Sequence, residues 1–461
     1  GNLSRTFEES FSLLGIDDKS EQTRWRCPWG SSAVDDVALQ FRYILEDSYL
    51  NAAATPSEDS SSSRKAWWTR RKELDSQLAD LTRKLENSWF GEWKFVLAAA
   101  DQSYWKSTDS ATTTLARSIK SKCKINIGHG LLRLLLAIAR QTPNLEACLL
   151  QSLSLRNNCV IGKIDDSDEE TPPPRPSIHT DPTRKMMASL VSDCAASFPV
   201  VESKVSEPLI LVLDCDVQML PWESLPMLRK QEVYRMPSVA SIVVAMNDFS
   251  HSIDPSNAFF LLNPSGDLSS TQSQFEDLFR HHQIEGKAGM APSVEELASA
   301  LRNHDLFIYM GHGSGERYIP CREIEKLERC AGSFLLGCSS GSFVLDGACV
   351  PRGAPLAYLL AGSPFIVANL WDVTDLDIDR FARAMLGGVF GERESNLLVC
   401  PQCEDDGKKK WPMKGGESCE HRRAVAAFMC DARAACKLPF LTGAAPVCYG
   451  LPTTIRRRDR L

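Results

Sequence analysis

What this sequence lacks narrows it quickly. It has no basic excess: 52 Lys+Arg stand against 59 Asp+Glu, a net charge of −7, so no global positive field gathers nucleic acid. It has no apolar run long enough for a bilayer. The longest, residues 131–139 with Ile127 ahead of it, is interrupted by Arg133 and falls short of the roughly 20 residues a crossing takes. No apolar signal-peptide region follows Gly1-Asn2-Leu3-Ser4-Arg5. A disulfide framework is also absent. The 16 cysteines are scattered, and Cys148, Cys194, Cys215 and Cys448 sit inside apolar runs, where a thiol behaves as a small hydrophobe. These features predict a soluble protein of a reducing compartment, cytosol or nucleus, in which one or two thiols at most carry chemistry. There is no internal repeat.

What is present is ordinary globular texture, 43% hydrophobic and 24% charged, in a chain long enough for about three domains or two large ones. Residues 1–162 read as helical. Val34, Val37, Phe41, Ile44 and Leu45 share one helical face, and Leu74, Leu78, Leu81 and Leu85 form a second apolar stripe from a helix starting near Lys65. A polar loop, residues 57–63, separates them, so an antiparallel hairpin is expected. Trp67, Trp68, Trp89 and Trp93 add core or interface area, and residues 127–140 give another buried helix. Residues 163–190, opening on Asp165-Asp166-Ser167-Asp168-Glu169-Glu170 and a proline cluster, read as a solvated linker.

From about residue 205 the texture becomes α/β. Apolar strands are expected at 209–213, 241–245, 258–262, 306–310, 333–336 and 364–370, separated by helical patterns around 275–282 and 294–302. That alternation predicts a mainly parallel sheet flanked by helices over 191–461, with a possible subdomain boundary near 255. Two of the strands end in loaded turns, Gly311-His312-Gly313-Ser314-Gly315 and Gly337-Cys338-Ser339-Ser340-Gly341. Groups at the carboxyl ends of neighbouring parallel strands meet on one edge. A thiol on one tip and an imidazole on the next make the minimal nucleophile–base pair for acyl transfer. A buried structural cysteine beside a loop histidine, or a ligand-binding module without chemistry, fits the same residues.

Tyr309-Met310-Gly311-His312-Gly313-Ser314-Gly315 and Leu336-Gly337-Cys338-Ser339-Ser340 resemble the histidine and cysteine motifs of separase, a caspase-like cysteine endopeptidase family. Further stretches fit in the same order: Trp89-Phe90-Gly91-Glu92-Trp93-Lys94, Leu220-Pro221-Trp222-Glu223-Ser224-Leu225-Pro226, Leu262-Asn263-Pro264-Ser265-Gly266-Asp267-Leu268, Asn369-Leu370-Trp371-Asp372-Val373-Thr374-Asp375, and residues 443–452. The resemblance implies a caspase-like protease domain behind a helical supporting domain. It implies Cys338 as nucleophile and His312 as its proton partner, with no third triad residue evident. The backbone N–H groups of Gly313 and Cys338 would form the oxyanion hole. It implies cleavage of the kleisin subunit of cohesin after Arg, inhibition by securin as a pseudosubstrate, no cofactor, and action in cytoplasm and nucleus. A caspase-like fold serving as a non-catalytic interaction module is the alternative.

An Arg pocket needs a buried carboxylate. Asp372, Asp375, Asp377 and Asp379 follow the strand after the nucleophile's, where the resemblance places an acidic pocket residue. Asp379 and then Asp372 are the expected pocket groups. Asp375 is the third candidate for the pocket and also the expected N-cap, beside Thr374, of a helix over 378–386. Last, Cys400, Cys403, Cys419 and His421 carry a zinc-like spacing. The competing reading there is a flexible insertion outside the family pattern, with residues 424–436 helical.

Overall fold

A computed structural model describes residues 31–53, 61–91, 94, 97, 102–139, 181–197, 208–214, 217–248, 252–344, 351–391 and 424–456. It separates into two compact units. One comprises Gly1–Thr23, Ala38–Thr82 and Pro208–Leu461; the other comprises Arg24–Val37 and Arg83–Glu207. This grouping differs from boundaries at 162 and 190, because residues 38–82 of the helical hairpin group with the α/β part of the chain.

The hairpin consists of α1 (Ser31–Ala53) and α2 (Ser61–Lys84). The Trp67 indole donates to the Asn51 carbonyl at 2.8 Å, and Arg70 pairs with Asp47. Leu74, Leu78 and Leu81 are all buried along α2. Trp67 and Trp68 meet edge to face. Trp93 and the side chain of Trp89 lie outside the described residues, as do residues 163–180 of the expected linker.

The second unit is helical: α3 (Gln102–Cys123), α4 (His129–Ala139) and α5 (Asp181–Ala196) share one core. Residues 181–190 are therefore helix where a linker is expected. The reason is local: Met187, Val191 and Ala195 recur every fourth residue and are buried with Ile119, Leu132 and Leu135. The acidic, proline-rich composition ahead of them conceals this stripe.

The α/β unit begins with β1 (Leu209–Val212), β2 (Val233–Met236), α6 (Val239–Asp248) and β3 (Ser252–Ile253). It continues through β4 (Ala258–Leu262), α7 (Ser269–His281), β5 (Glu285–Ala288), α8 (Val294–Asn303), β6 (Leu306–Met310) and β7 (Gly332–Leu335). It closes with α9 (Ala354–Leu360), β8 (Phe365–Asn369), α10 (Asp375–Phe390), α11 (Val425–Ala434), β9 (Pro446–Gly450) and β10 (Thr454–Ile455). Among the described residues eight strands form one sheet in the order β1-β2-β9-β8-β7-β6-β4-β5, with only the β8–β9 pairing antiparallel. The mainly parallel α/β architecture is as the alternation predicts. β4, β6, β7 and β8 are buried along their whole length, which is why they read as continuous apolar runs.

One strand assignment fails. Residues 241–245 lie inside α6, where the Ser238 hydroxyl accepts the Ser241 N–H and starts the helix. The neighbouring strand is β2 instead. Its Arg235, a charged residue in a buried strand, is paired with Glu223 through two short bonds of 2.6 and 2.7 Å. A buried cation in a strand is tolerated only when so paired.

The α5 stripe is directly testable. Met187→Ala should lower the stability of the helical unit by about 2–5 kcal/mol, read from urea unfolding. An unchanged midpoint would remove α5 from that core.

Candidate active site

The site stands on the carboxyl edge of β6, β7 and β8. His312 follows β6, Cys338 follows β7, and residues 371–379 follow β8. The two turns meet backbone to backbone. A Cβ on Gly337 would lie 2.0 Å from the Gly313 carbonyl oxygen and 2.4 Å from that of Gly311, so only glycine allows the approach. Gly313 itself has φ +63°, in the left-handed region. The Tyr309 hydroxyl donates to the His312 carbonyl at 2.6 Å and fixes the histidine turn.

The cysteine turn is held more tightly still. The Ser340 hydroxyl donates to the Leu335 carbonyl at 2.6 Å and accepts the Asn369 N–H at 3.0 Å. The Asn369 amide donates to the Gly337 carbonyl, and the Tyr449 hydroxyl to that of Gly341. Ser339 is left-handed at φ +51°, uncommon outside glycine. Its N–H reaches the Trp371 carbonyl and its hydroxyl the Asp372 carboxylate, at 2.5 Å. The quoted Asn369–Asp375 and 443–452 motifs thus act largely as braces for the cysteine turn.

Cys338 and His312 line one cleft with Asp375, Asp379, Thr271 and Val373. Within it the Cys338 thiol donates to the Val373 carbonyl at 3.2 Å. Burial pushes its pKa up, and the nearby carboxylates of Asp372 and Asp375 add to that. The thiol is therefore protonated at rest. Neither the Gly313 nor the Cys338 amide donates to another backbone carbonyl among the described residues.

The four aspartates after β8 divide by environment. Asp379 is 3% exposed; it accepts the Thr271 hydroxyl at 2.8 Å. Burial first, and then the neighbouring Asp375 charge, push its pKa up to about 6 against the pull of Thr271. Asp375 is the first residue of α10, Thr374 being the N-cap, so the expected capping role does not fall to Asp375. It instead lines the cleft, with its pKa raised by burial. Asp377 accepts the Lys437 and Leu438 N–H groups at 2.7 and 3.1 Å, a purely structural duty. Asp372 holds Ser339 and lines a separate groove beside Tyr49 and Arg71 rather than the Cys338 cleft.

Comparison with known proteins now decides the family. A model described as "Separin, protease domain" matches residues 10–378. The chain belongs to the separin family. It is 31% identical over 418 residues to separin of Emericella nidulans, covering 84% of this chain and 19% of that protein. Mouse separin is 30% identical over 432 residues, covering 91% of this chain and 17% of the mouse protein. The chain thus spans about a fifth of these relatives' length. The crystal structure of the Saccharomyces cerevisiae separase–securin complex superposes with a TM-score of 0.68 at 25% identity, over 92% of this chain and 28% of that one. The matched region of the family is its protease domain.

Sequence reasoning missed one partner. The His312 ring Nε2 lies 3.0 Å from the Asp267 carboxylate. The available signals were its place in the quoted 262–268 motif and its position: Asp267 follows the turn at the end of β4, next to β6 in the sheet. Cys400, Cys403, Cys419 and His421 lie outside the described residues. Among the described residues no group of His, Cys, Asp or Glu is arranged to hold a metal ion, and no helix is long and apolar enough to cross a membrane.

The backbone contact at Gly337 gives a sharp test. Gly337→Ala forces the two turns apart, and overpacking of this kind costs about 1–3 kcal/mol. Alkylation of Cys338 by iodoacetamide should change in rate while the circular dichroism spectrum is retained. Wild-type reactivity in that variant would mean the turns are not in contact.

Proposed function

We propose that this chain is a cysteine endopeptidase that cuts after Arg, with Cys338 as nucleophile and His312 as its acid–base partner. The observation carrying this reading is Asp379: a carboxylate sealed at the cleft beside Cys338, with a hydroxyl partner but no cation within ion-pair distance among the described residues. Such a group is costly to keep charged until a cation enters. A guanidinium fits best, offering two parallel donors to one carboxylate. Asp375, at the mouth of α10, adds a second negative charge to the same cleft.

The chemistry follows from the raised thiol pKa. Arrival of the scissile carbonyl draws the thiol away from Val373, and its proton passes to the His312 imidazole as sulfur bonds to carbon. The oxyanion takes the Gly313 and Cys338 N–H groups. Collapse breaks the C–N bond, with His312 returning the proton to the leaving amine. Water then hydrolyses the thioester by the reverse sequence. Removing one oxyanion donor typically costs about 2.7–4 kcal/mol in such sites.

The substrate we assign is the kleisin subunit of cohesin. Securin, the partner in the yeast complex, is assigned as a pseudosubstrate inhibitor in the same cleft, and the working compartments are cytoplasm and nucleus. The family membership and the acidic cleft support these assignments.

Cleavage of an Arg-containing peptide should vanish in Cys338→Ser. It should fall about 100-fold or more in Asp379→Ala, which strands the substrate's charge. KM for the Arg peptide should rise as pH drops below about 6, where Asp379 takes up a proton. Cleavage after Arg that persists unchanged in Asp379→Ala overturns the pocket. No turnover by wild type leaves the non-catalytic module.

A stability test complements this one. The folded pKa of Asp379, about 6, exceeds the ordinary carboxylate value, so folding penalises its charged form. That penalty is absent below about pH 4, grows between 4 and 6, and is complete above 6. Asp379→Asn should therefore stabilise the unit by ~3 kcal/mol at pH 8 and by nothing at pH 3.5. Equal stability of the two proteins at pH 8 would mean the carboxylate is solvated.

A further inference from the structure

We infer that Asp267 is a positioning residue for His312. It fixes which ring nitrogen carries the proton and which faces the thiol. This rests on the reading of Cys338 and His312 as the reacting pair. The imidazole has two nitrogens, and one of them, Nε2, is 3.0 Å from Asp267 Oδ2. An ionised carboxylate only accepts, so Nε2 carries the hydrogen. Nδ1 is left as the ring atom able to take a proton from Cys338. The Asp267 pKa is held below the usual carboxylate range, first by the Ser265 hydroxyl and then by His312, so it stays ionised across the working range.

The loop that presents Asp267 is built for rigidity. Asn263, left-handed at φ +49°, donates its N–H to the Met310 carbonyl at the end of β6 and so ties this loop to the histidine strand. Its side chain accepts the Leu268 N–H at 2.9 Å and donates to Gln272 at 2.9 Å. The Gly266 N–H returns to the Asn263 carbonyl, and the Ser265 hydroxyl donates to Asp267 Oδ1 at 2.5 Å. Both ends of the carboxylate are thus engaged, one oxygen by its own loop and the other by the imidazole. As an ion pair between exposed groups it contributes little to folding. Its value lies in orientation, since a ring free to rotate presents either nitrogen to the thiol. Asp375 is the other carboxylate whose charge reaches His312, and it makes no hydrogen bond to the ring among the described residues.

The test uses the whole chain with ¹⁵N-labelled histidine, the His312 signals being assigned by their loss in His312→Gln. Neutral His312 should be the Nε2–H tautomer in wild type, and a mixture of tautomers in Asp267→Ala. The Ala variant should lose about 10- to 100-fold in kcat on an Arg peptide with KM unchanged. Asp267→Asn, which keeps an accepting oxygen, should recover most of both readouts. An unchanged tautomer in Asp267→Ala overturns the inference whether or not wild type turns over. So does a tautomer that changes in Asp375→Asn but not in Asp267→Ala, which would transfer the role. A lost kcat with an unchanged tautomer would assign Asp267 to substrate binding or folding instead. Absence of wild-type turnover with the tautomer shift intact would count against the endopeptidase reading while leaving the Asp267–His312 link in place.

Discussion

Two turns from neighbouring strands come close enough here that a single methyl group would separate them. Gly337 sits against the carbonyls of Gly311 and Gly313, and this backbone contact sets the distance between everything attached to either turn. Most of the surrounding bracing serves it. Ser340, Asn369 and Tyr449 pin the cysteine turn from one side, and Tyr309 pins the histidine turn from the other. Because each brace is a hydrogen bond to a backbone carbonyl, the turn is held by its main chain, and the Cys338 side chain remains available.

The cleft that results is electrostatically unfavourable when empty. Buried carboxyl and thiol groups are all pushed toward their neutral forms, and the negative charges raise one another's pKa values. A site optimised for stability would have no such cluster. An acidic cleft of this kind is relieved by a cation.

The floor of the cleft is supported from the hairpin. Asp75 on α2 accepts the Phe440 and Leu441 N–H groups at 2.8 and 2.7 Å. Leu441 in turn accepts the Trp371 indole N–H, and Phe41 on α1 packs edge to face on Trp371. Trp371 carries the segment from Asp372 to Asp379. Residues 38–82 of the hairpin are thus part of the α/β unit, although the amphipathic pattern alone describes a separate helical domain.

Sequence by itself determined the parallel α/β class, the strands that end in His312 and Cys338, and the acidic segment after β8. Those features are encoded locally, in apolar runs bounded by glycine turns, and the family motifs are short and contiguous. Residues 241–245 show the limit, since a short apolar run suits a buried strand and a buried helix equally well, and the choice fell to the Ser238 cap. Only the tertiary structure sorted the four aspartates, because their roles depend on partners far along the chain: Thr271 for Asp379, Lys437 and Leu438 for Asp377, Ser339 for Asp372. The same holds for Asp267. Nothing in its turn announces a histidine 45 residues away; the pairing exists because β4 and β6 lie side by side in a parallel sheet, which brings the ends of both strands to one edge.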